Sequence, residues 1–167
     1  MDNTIPVTQT GYNRVSKQIN DLKREHGQLH VDIAAALEGK SSEENDEFLL
    51  AKQRQHQIET SITKLTALLD QFEVVESINF TGAADFGTTV TVRNLDTDAE
   101  KTYTLLSEYD SNAKVGIIST ASPIGSGLLG RRAGDTVEID MPNGSVIPFE
   151  VLSVGVSSFV TRTLSDA

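Results

Sequence analysis

Hydrophobic positions in the first half of the chain recur with the spacing of a coiled-coil helix. In the first segment they lie three and four residues apart in alternation, at Tyr12, Val15, Ile19, Leu22, His26, Leu29, Ile33 and Ala36. A second segment repeats this spacing at Phe48, Ala51, Gln55, Ile58, Ile62, Leu65, Leu69 and Phe72. Such steps place residues on one stripe of a helix. The pattern predicts two long amphipathic helices, the first roughly 40 Å long at about 1.5 Å per residue.

The link between the two stripes, residues 39–42, is short and contains Gly39. A link of this length cannot join parallel helices, so the helices are expected to fold back on each other as an antiparallel hairpin. Folding about the link places Leu22 opposite Ile62. It also places the polar stripe members His26 and Gln55 in adjacent layers, which we interpret as a polar layer that fixes the register.

The second half of the chain changes to the alternating pattern of β-strands. Strands are predicted at residues 88–93, 101–106, 115–119, 136–140 and 146–154, with a hairpin turn at Asn143-Gly144. Ser122-Pro123 predicts the start of a short helix that runs to Leu129. The expected fold class is α+β: an N-terminal two-helix coiled coil and a small antiparallel sheet domain with one short helix. The predicted divisions are residues 1–75, 76–154 and a flexible tail at 155–167.

Composition narrows the range of functions. The formal net charge of -10 argues against a general nucleic-acid-coating protein, which needs a broad cationic surface. The chain has no cysteine, no signal peptide pattern and no apolar run long enough for a bilayer, so we expect a cytoplasmic protein without a membrane partner. No histidine follows Gly125-Ser126-Gly127, which excludes a Ser-His triad there.

The residues between the two stripes are rich in acids. Ser41 followed by Glu44 forms a capping box, and Glu43, Glu44, Asp46 and Glu47 are favoured in a first helical turn by the helix dipole. Helix capping and the helix dipole are enough to explain these acids without a functional role. The alternative is that carboxylates at the end of a long arm help to bind a hard cation such as Mg²⁺, with a partner supplying the remaining ligands.

Arg131 and Arg132 follow the predicted short helix. They suit the negative end of its dipole, or they contact a partner protein. The nearby run Gly125 to Gly130 matches G-x-G-x-x-G, but no βαβ unit surrounds it, so it is interpreted as helix packing.

Several motifs resemble the Gre transcript cleavage factors of bacterial RNA polymerase, and the GreA branch more than the GreB branch. The similarity runs from about Thr8 to Val154. It rests on Thr8-x-x-Gly11-Tyr12 and on Glu44-Asn45-Asp46-Glu47-Phe48-x-x-Ala51-Lys52, which is similar to the family's E-N-A-E-Y-x-x-A-K. It also rests on Phe86-Gly87-Thr88-Thr89-Val90 and on the run that begins with Ser122-Pro123-Ile124.

The resemblance implies a specific activity. An arm enters the secondary channel of RNA polymerase, where the tip acids Glu43, Glu44 and Asp46 assist cleavage of a backtracked transcript. Glu43 and Glu44 would share Mg²⁺ with the polymerase active site, and no cofactor would be bound by this chain alone. The family also implies a C-terminal domain like that of FK506-binding proteins, which docks on the polymerase, here through Arg131 and Arg132. The polymerase would be the enzyme and this chain would not. The factor would act as a monomer and meet the nascent RNA 3′ end only indirectly.

The tip departs from the family pattern G-D-L-S-E-N. The leading Asp is replaced by Lys40 or Ser41, depending on the side from which the alignment is counted, and Glu43 is an additional acid. The alternative function is therefore a Gre-like regulator or inhibitor that binds the channel without stimulating cleavage. A chaperone-like coiled-coil clamp, independent of polymerase, is a third class.

Overall fold

The protein combines two long helices with a β-rich region, which confirms the predicted α+β class. The structure is a computed structural model and describes residues 3–38 and 46–162. The helices are α1 (Gln9–Ala36), α2 (Asp46–Leu69) and α3 (Pro123–Leu128), with a 3-10 helix at Ala113–Val115. The strands are β1 (Ile5–Val7), β2 (Phe72–Val74), β3 (Ser77–Ile78), β4 (Thr88–Asn94), β5 (Glu100–Leu106), β6 (Ile117–Ser119), β7 (Thr136–Asp140), β8 (Val146–Val156) and β9 (Thr161–Arg162). Within these ranges, no helix has the length and apolar character that a bilayer requires.

The chain divides into two compact units, which differ from the predicted domains. One unit, called the arm below, is Asn13–Phe72; the other, the β-rich unit, combines Met1–Tyr12 with Glu73–Ala167. The predicted first domain, residues 1–75, is thus corrected at both ends. The reason is pairing across the sequence, since β1 pairs with β2 and the amide of Val75 donates to the carbonyl of Val7 at 2.8 Å.

The arm has the two predicted stripes. Its buried hydrophobic residues, Val15, Ile19, Ile33 and Ile58, are all stripe members. In the predicted polar layer of His26 and Gln55, His26 bonds Glu59 on α2 at 2.9 Å. Gln55 accepts a hydrogen bond from Lys52 on its own helix at 3.4 Å. The predicted link at residues 39–42 and the capping box that ends at Glu44 lie outside the described residues.

A five-stranded sheet forms the centre of the β-rich unit, in the order β6-β5-β4-β8-β7. β4 pairs antiparallel with β5 and β8, and β7 pairs antiparallel with β8. The purely antiparallel prediction needs one correction, because β6 is parallel to β5. The segment between β5 and β6 contains the 3-10 helix, and this crossover places β6 beside the last three residues of β5, with Thr104 opposite Ile117 and Leu106 opposite Ser119.

One face of the sheet and α3 enclose the core. Its fully buried side chains include Val90, Val92, Leu105, Leu128 and Val151. The start of α3 follows the sequence prediction: Ser122 is the N-cap, its hydroxyl accepts from the amide of Gly125 at 3.1 Å, and Pro123 begins the helix.

The prediction that residues 155–167 form a flexible tail is corrected for residues 155–162, which the structure describes. β8 continues to Val156, and β9 pairs in parallel with β3. Val160 is buried, and a Cβ on Gly87 would lie 2.9 Å from it. Gly87 also has φ of 86°, a conformation that favours glycine. The segment after β8 is therefore packed against the linker that leads into β4.

A buried carboxylate joins the start of α1 to the β5–β6 connection. Asp110 accepts hydrogen bonds from the hydroxyl of Thr8 at 2.5 Å and from its amide at 3.2 Å. It also accepts from the hydroxyl of Ser107 at 2.6 Å and from its amide at 3.4 Å. Thr8 in turn accepts from the amide of Gly11 at 3.3 Å, which makes Thr8 the cap of α1. A Cβ on Gly11 would overlap with the Asp110 carboxylate. These contacts explain why the motif has threonine at position 8 and glycine at position 11.

Ile58 gives the first prediction, because it is the one fully buried hydrophobic side chain of α2. Ile58→Ala is expected to destabilise the arm by about 2–5 kcal/mol, and Leu22→Ala by less, because Leu22 is only half-buried. Thermal unfolding followed by far-ultraviolet circular dichroism would measure the change, with the exposed His56→Ala as the control. Loss of the arm and of the β-rich unit in one cooperative step would contradict the division into units.

Asp110 gives the second prediction. Asp110→Asn keeps the size of the side chain but turns an amide N–H₂ toward donors that need an acceptor, so unfolding free energy should fall by about 1–3 kcal/mol. Urea unfolding would measure it, and Asp140→Asn, an exposed acid in the same unit, is the matched control. Equal urea midpoints for Asp110→Asn and the control would show that the network contributes nothing.

Candidate functional site

The acidic end of the arm is the first candidate surface. Asp46 and Glu47 lie exposed in the first turn of α2, where the helix dipole favours carboxylates. Glu43 and Glu44, the other predicted tip acids, lie outside the described residues. Of the predicted catalytic acids, the structure therefore places Asp46 alone.

An acidic groove runs between the two helices beside this end. It has a volume of about 530 Å³ and is lined by the carboxylates Asp32, Glu38 and Glu47, with Ala35 and Ala36. Small side chains keep the groove open, and three acids make it strongly negative. Among the described residues no three potential ligands are close enough to bind a metal ion. The described part of the arm thus adds negative charge but does not form a closed metal site.

The aromatic and basic residues of the tip motif contact each other on α2. The ammonium group of Lys52 lies 5.9 Å from the centre of the Phe48 ring, within the range of a cation–π interaction. The two residues are four apart, so they share one helix face. This contact gives a structural reason for the Phe48-x-x-Ala51-Lys52 part of the motif.

Two polar pairs connect α1 and α2 farther along the arm. Arg54 donates from Nε to Glu25 Oε1 at 2.7 Å and from Nη2 to Oε2 at 3.0 Å, a bidentate pair. These hydrogen bonds lower the pKa of Glu25 below its ordinary 4.5 and raise the pKa of Arg54. The second pair is His26 with Glu59, at 2.9 Å.

The Glu25–Arg54 pair lies at sequence positions that flank the two stripes. Each residue directly precedes a stripe member, His26 on α1 and Gln55 on α2. These are the flanking positions at which antiparallel helices place charged partners opposite each other.

Arg131 and Arg132 form the second candidate surface, in the β-rich unit. Both side chains are exposed. The guanidinium of Arg132 donates from Nη1 to the carbonyl of Thr81 at 2.8 Å, so this side chain does not have the predicted role of helix-dipole partner. The backbone carbonyl of Arg131 accepts from the amide of Ala84 at 2.8 Å, while its side chain remains exposed. Arg131 is therefore better placed than Arg132 to contact a partner.

The predicted site residues do not fall in one unit. Asp46 belongs to the arm, and both arginines belong to the β-rich unit. The chain therefore has two separate candidate surfaces, one acidic and one basic.

Comparison with known families matches almost the whole chain. Residues 5–74 match the family described as "Transcription elongation factor, N-terminal". Residues 80–155 match the family described as "Transcription elongation factor, GreA/GreB, C-term". The two matches cover both halves of the chain.

Individual relatives agree with the family matches. Transcription elongation factor GreA of Maridesulfovibrio salexigens is 37% identical over 152 residues, which cover 90% of this chain and 94% of that protein. GreA of Helicobacter hepaticus is 36% identical over 153 residues, covering 90% and 93%. Among solved structures, GreA factor homolog 1 of Thermus thermophilus is 24% identical, covers 91% of this chain and 99% of its own, and has a TM-score of 0.41. A prokaryotic transcription elongation factor GreA/GreB from Nitrosomonas europaea is 21% identical, covers 90% and 97%, and has a TM-score of 0.39.

Proposed function

The chain belongs to the GreA/GreB family of transcription elongation factors, and on that premise we propose that it promotes cleavage of backtracked transcripts by bacterial RNA polymerase. The observation that carries the proposal is the match of both halves to this family, together with a relative of which the matched region covers 94%. The arm enters the secondary channel, and its acidic end reaches the polymerase active site. The factor acts in the cytoplasm as a monomer.

The polymerase is the nuclease in this proposal, and the factor supplies carboxylates. Mg²⁺ at the polymerase active site would supply a water of lowered pKa. Glu43 and Glu44 are the residues that would add oxygen ligands to that ion, since carboxylate oxygens are ligands that Mg²⁺ prefers. Asp46, exposed in the first turn of α2, would help to orient the water.

The RNA is reached indirectly. The acidic groove is lined by the carboxylates of Asp32, Glu38 and Glu47. It therefore repels the phosphates of the nascent RNA rather than binding them. The 3′ end would therefore be held by the polymerase, and the factor would contribute only at the reacting phosphate. Docking of the β-rich unit would rely on Arg131, whose side chain is exposed.

The third prediction tests the tip acids. Glu44→Gln keeps the capping geometry, because Gln also serves at that position, but a neutral amide oxygen is a far weaker Mg²⁺ ligand. It should leave polymerase binding nearly intact and abolish stimulated cleavage of stalled, backtracked complexes in a transcript cleavage assay. Glu43→Gln tests whether this residue replaces the acid that is missing at Lys40 or Ser41, and Ser41→Asp should raise activity if that acid is restored.

Two outcomes would contradict this assignment. Normal cleavage with a Glu43→Gln/Glu44→Gln double variant would place the chemistry on other residues. A wild-type protein that suppresses nucleotide addition and never stimulates cleavage would instead identify a channel-binding inhibitor.

The fourth prediction concerns docking. Arg131→Glu should weaken polymerase binding roughly tenfold, equivalent to about 1.4 kcal/mol, because it reverses a charge on an exposed contact surface. Lys114→Glu, an exposed charge reversal in the same unit, is the matched control.

Photocrosslinkers at the tip should react near the polymerase active site. Crosslinks that arise from Arg131 and Arg132 but never from the tip would rule out insertion of the arm.

A further inference from the structure

The middle of the arm combines a narrow apolar seam with directional polar contacts between its two helices. Three hydrophobic residues are buried on α1, namely Val15, Ile19 and Ile33, but α2 buries only Ile58. The neighbouring stripe members are half-buried. A narrow aliphatic seam resists separation of the helices, but it has little directionality to oppose rotation or sliding. Polar contacts are the feature that fixes register in such seams.

The two polar pairs have the geometry that the seam lacks. The guanidinium of Arg54 and the carboxylate of Glu25 form two parallel hydrogen bonds, an arrangement that is specific in direction as well as distance. Arg54 lies four residues before Ile58, and Glu59, the partner of His26, lies one residue after it. On a helix with about 100° per residue, Arg54 and Glu59 are on opposite flanks of the stripe. Their partners Glu25 and His26 are consecutive on α1.

The pairs therefore restrain α2 against both rotation and translation along α1. Rotation of α2 would lengthen one pair and compress the other, because they flank the stripe on opposite sides. Axial sliding by one residue is a displacement of about 1.5 Å, which would lengthen the two hydrogen bonds of 2.7 and 3.0 Å and tilt them away from their parallel alignment. Both pairs are partly exposed to solvent, so their role is better described as geometric than as a large source of stability.

We propose that Glu25 and Arg54, supported by His26 and Glu59, are positioning residues that set the register in which α2 presents Asp46, the predicted catalytic acid in its first turn. This inference rests on the proposed function, since it assigns the pairs a task in the same reaction. Mg²⁺ requires ligands at about 2.0–2.1 Å in near-octahedral geometry. A misplacement of about 1 Å can reduce a reaction rate by about 10²-fold. The register of the helices therefore matters more for the rate of cleavage than for binding to the polymerase.

The test is a charge exchange across the arm. Glu25→Arg and Arg54→Glu each place like charges opposite one another, and the double variant restores opposite charges with the positions reversed. Each single variant should reduce the cleavage rate at saturating factor by about tenfold or more. The concentration that gives half the maximal effect should change by less than about threefold. The double variant should regain most of the rate.

The arm contains a matched control. Lys17 and Asp21 form an exposed ion pair of 2.7 Å within α1, the same distance as the shortest contact of Arg54 with Glu25. Lys17→Glu and Asp21→Lys make the same kinds of charge change without touching the connection between helices. Their cleavage rates should equal the wild-type rate. Equal losses in the control and the test variants would overturn the positioning role.

A second readout measures the register directly and does not depend on cleavage. Because the chain has no cysteine, His30→Cys on α1 and Gln53→Cys on α2 can carry the only two spin labels, both at exposed positions. Pulsed electron resonance should give a narrow distance distribution in the otherwise wild-type chain. The distribution should shift or broaden in each single charge variant and narrow again in the double variant.

The two readouts separate the failure of this inference from the failure of the proposed function. An unchanged distance distribution in the single variants would overturn the positioning role, whatever the cleavage rates are. A single-variant loss of rate that the double variant does not restore would also overturn it, and would indicate direct contact of these residues with the polymerase. A wild-type chain that stimulates no cleavage would overturn the proposed function, while the distance distributions would still decide whether the pairs set the register.

Discussion

The buried carboxylate of Asp110 joins two distant segments of the β-rich unit, the start of α1 and the connection that follows β5. A buried carboxylate is costly unless it is hydrogen-bonded, and Asp110 is only 3% exposed. Its four donors come from Thr8, at the start of α1, and from Ser107, at the end of β5. The carboxylate also lies at the positive end of the α1 dipole. One charge thus fixes where α1 begins and how the chain leaves β5 toward the parallel strand β6.

The parts of the fold that follow from local periodicity were predictable from the sequence. The three-four spacing through Val15, Ile19 and Ile58 reflects the one stripe that each helix can bury. The alternation in β4 and β5 similarly reflects a sheet with one buried face. The start of α3 was also predictable, because Ser122 and Pro123 act within a single turn. At the candidate site, the cluster of acids near Asp46 was also predictable, because these residues are neighbours in the sequence.

Features that depend on pairing between distant residues were not predictable from these patterns. Thr8 and Asp110 are 102 residues apart, and neither carries a local signal for the other. The parallel direction of β6 follows from a crossover that no alternation pattern records. Arg132 looked like a helix-dipole partner because it follows α3, but its guanidinium reaches the carbonyl of Thr81. The cross-helix pair of Glu25 and Arg54 is an exception, because each residue directly precedes a stripe member, His26 or Gln55.

The pairing of β9 with β3 has a consequence for synthesis of the chain. The hydroxyl of Thr161 donates to the carbonyl of Glu76, which lies 85 residues earlier. At roughly 5–20 residues per second, the ribosome adds that intervening stretch in about 4–17 s. During this interval β3 has no partner strand, and the surface of Gly87 that Val160 later covers is open. The β-rich unit therefore cannot complete its packing while it is being translated, and a nascent chain would expose this apolar edge to chaperones until the β9 segment emerges.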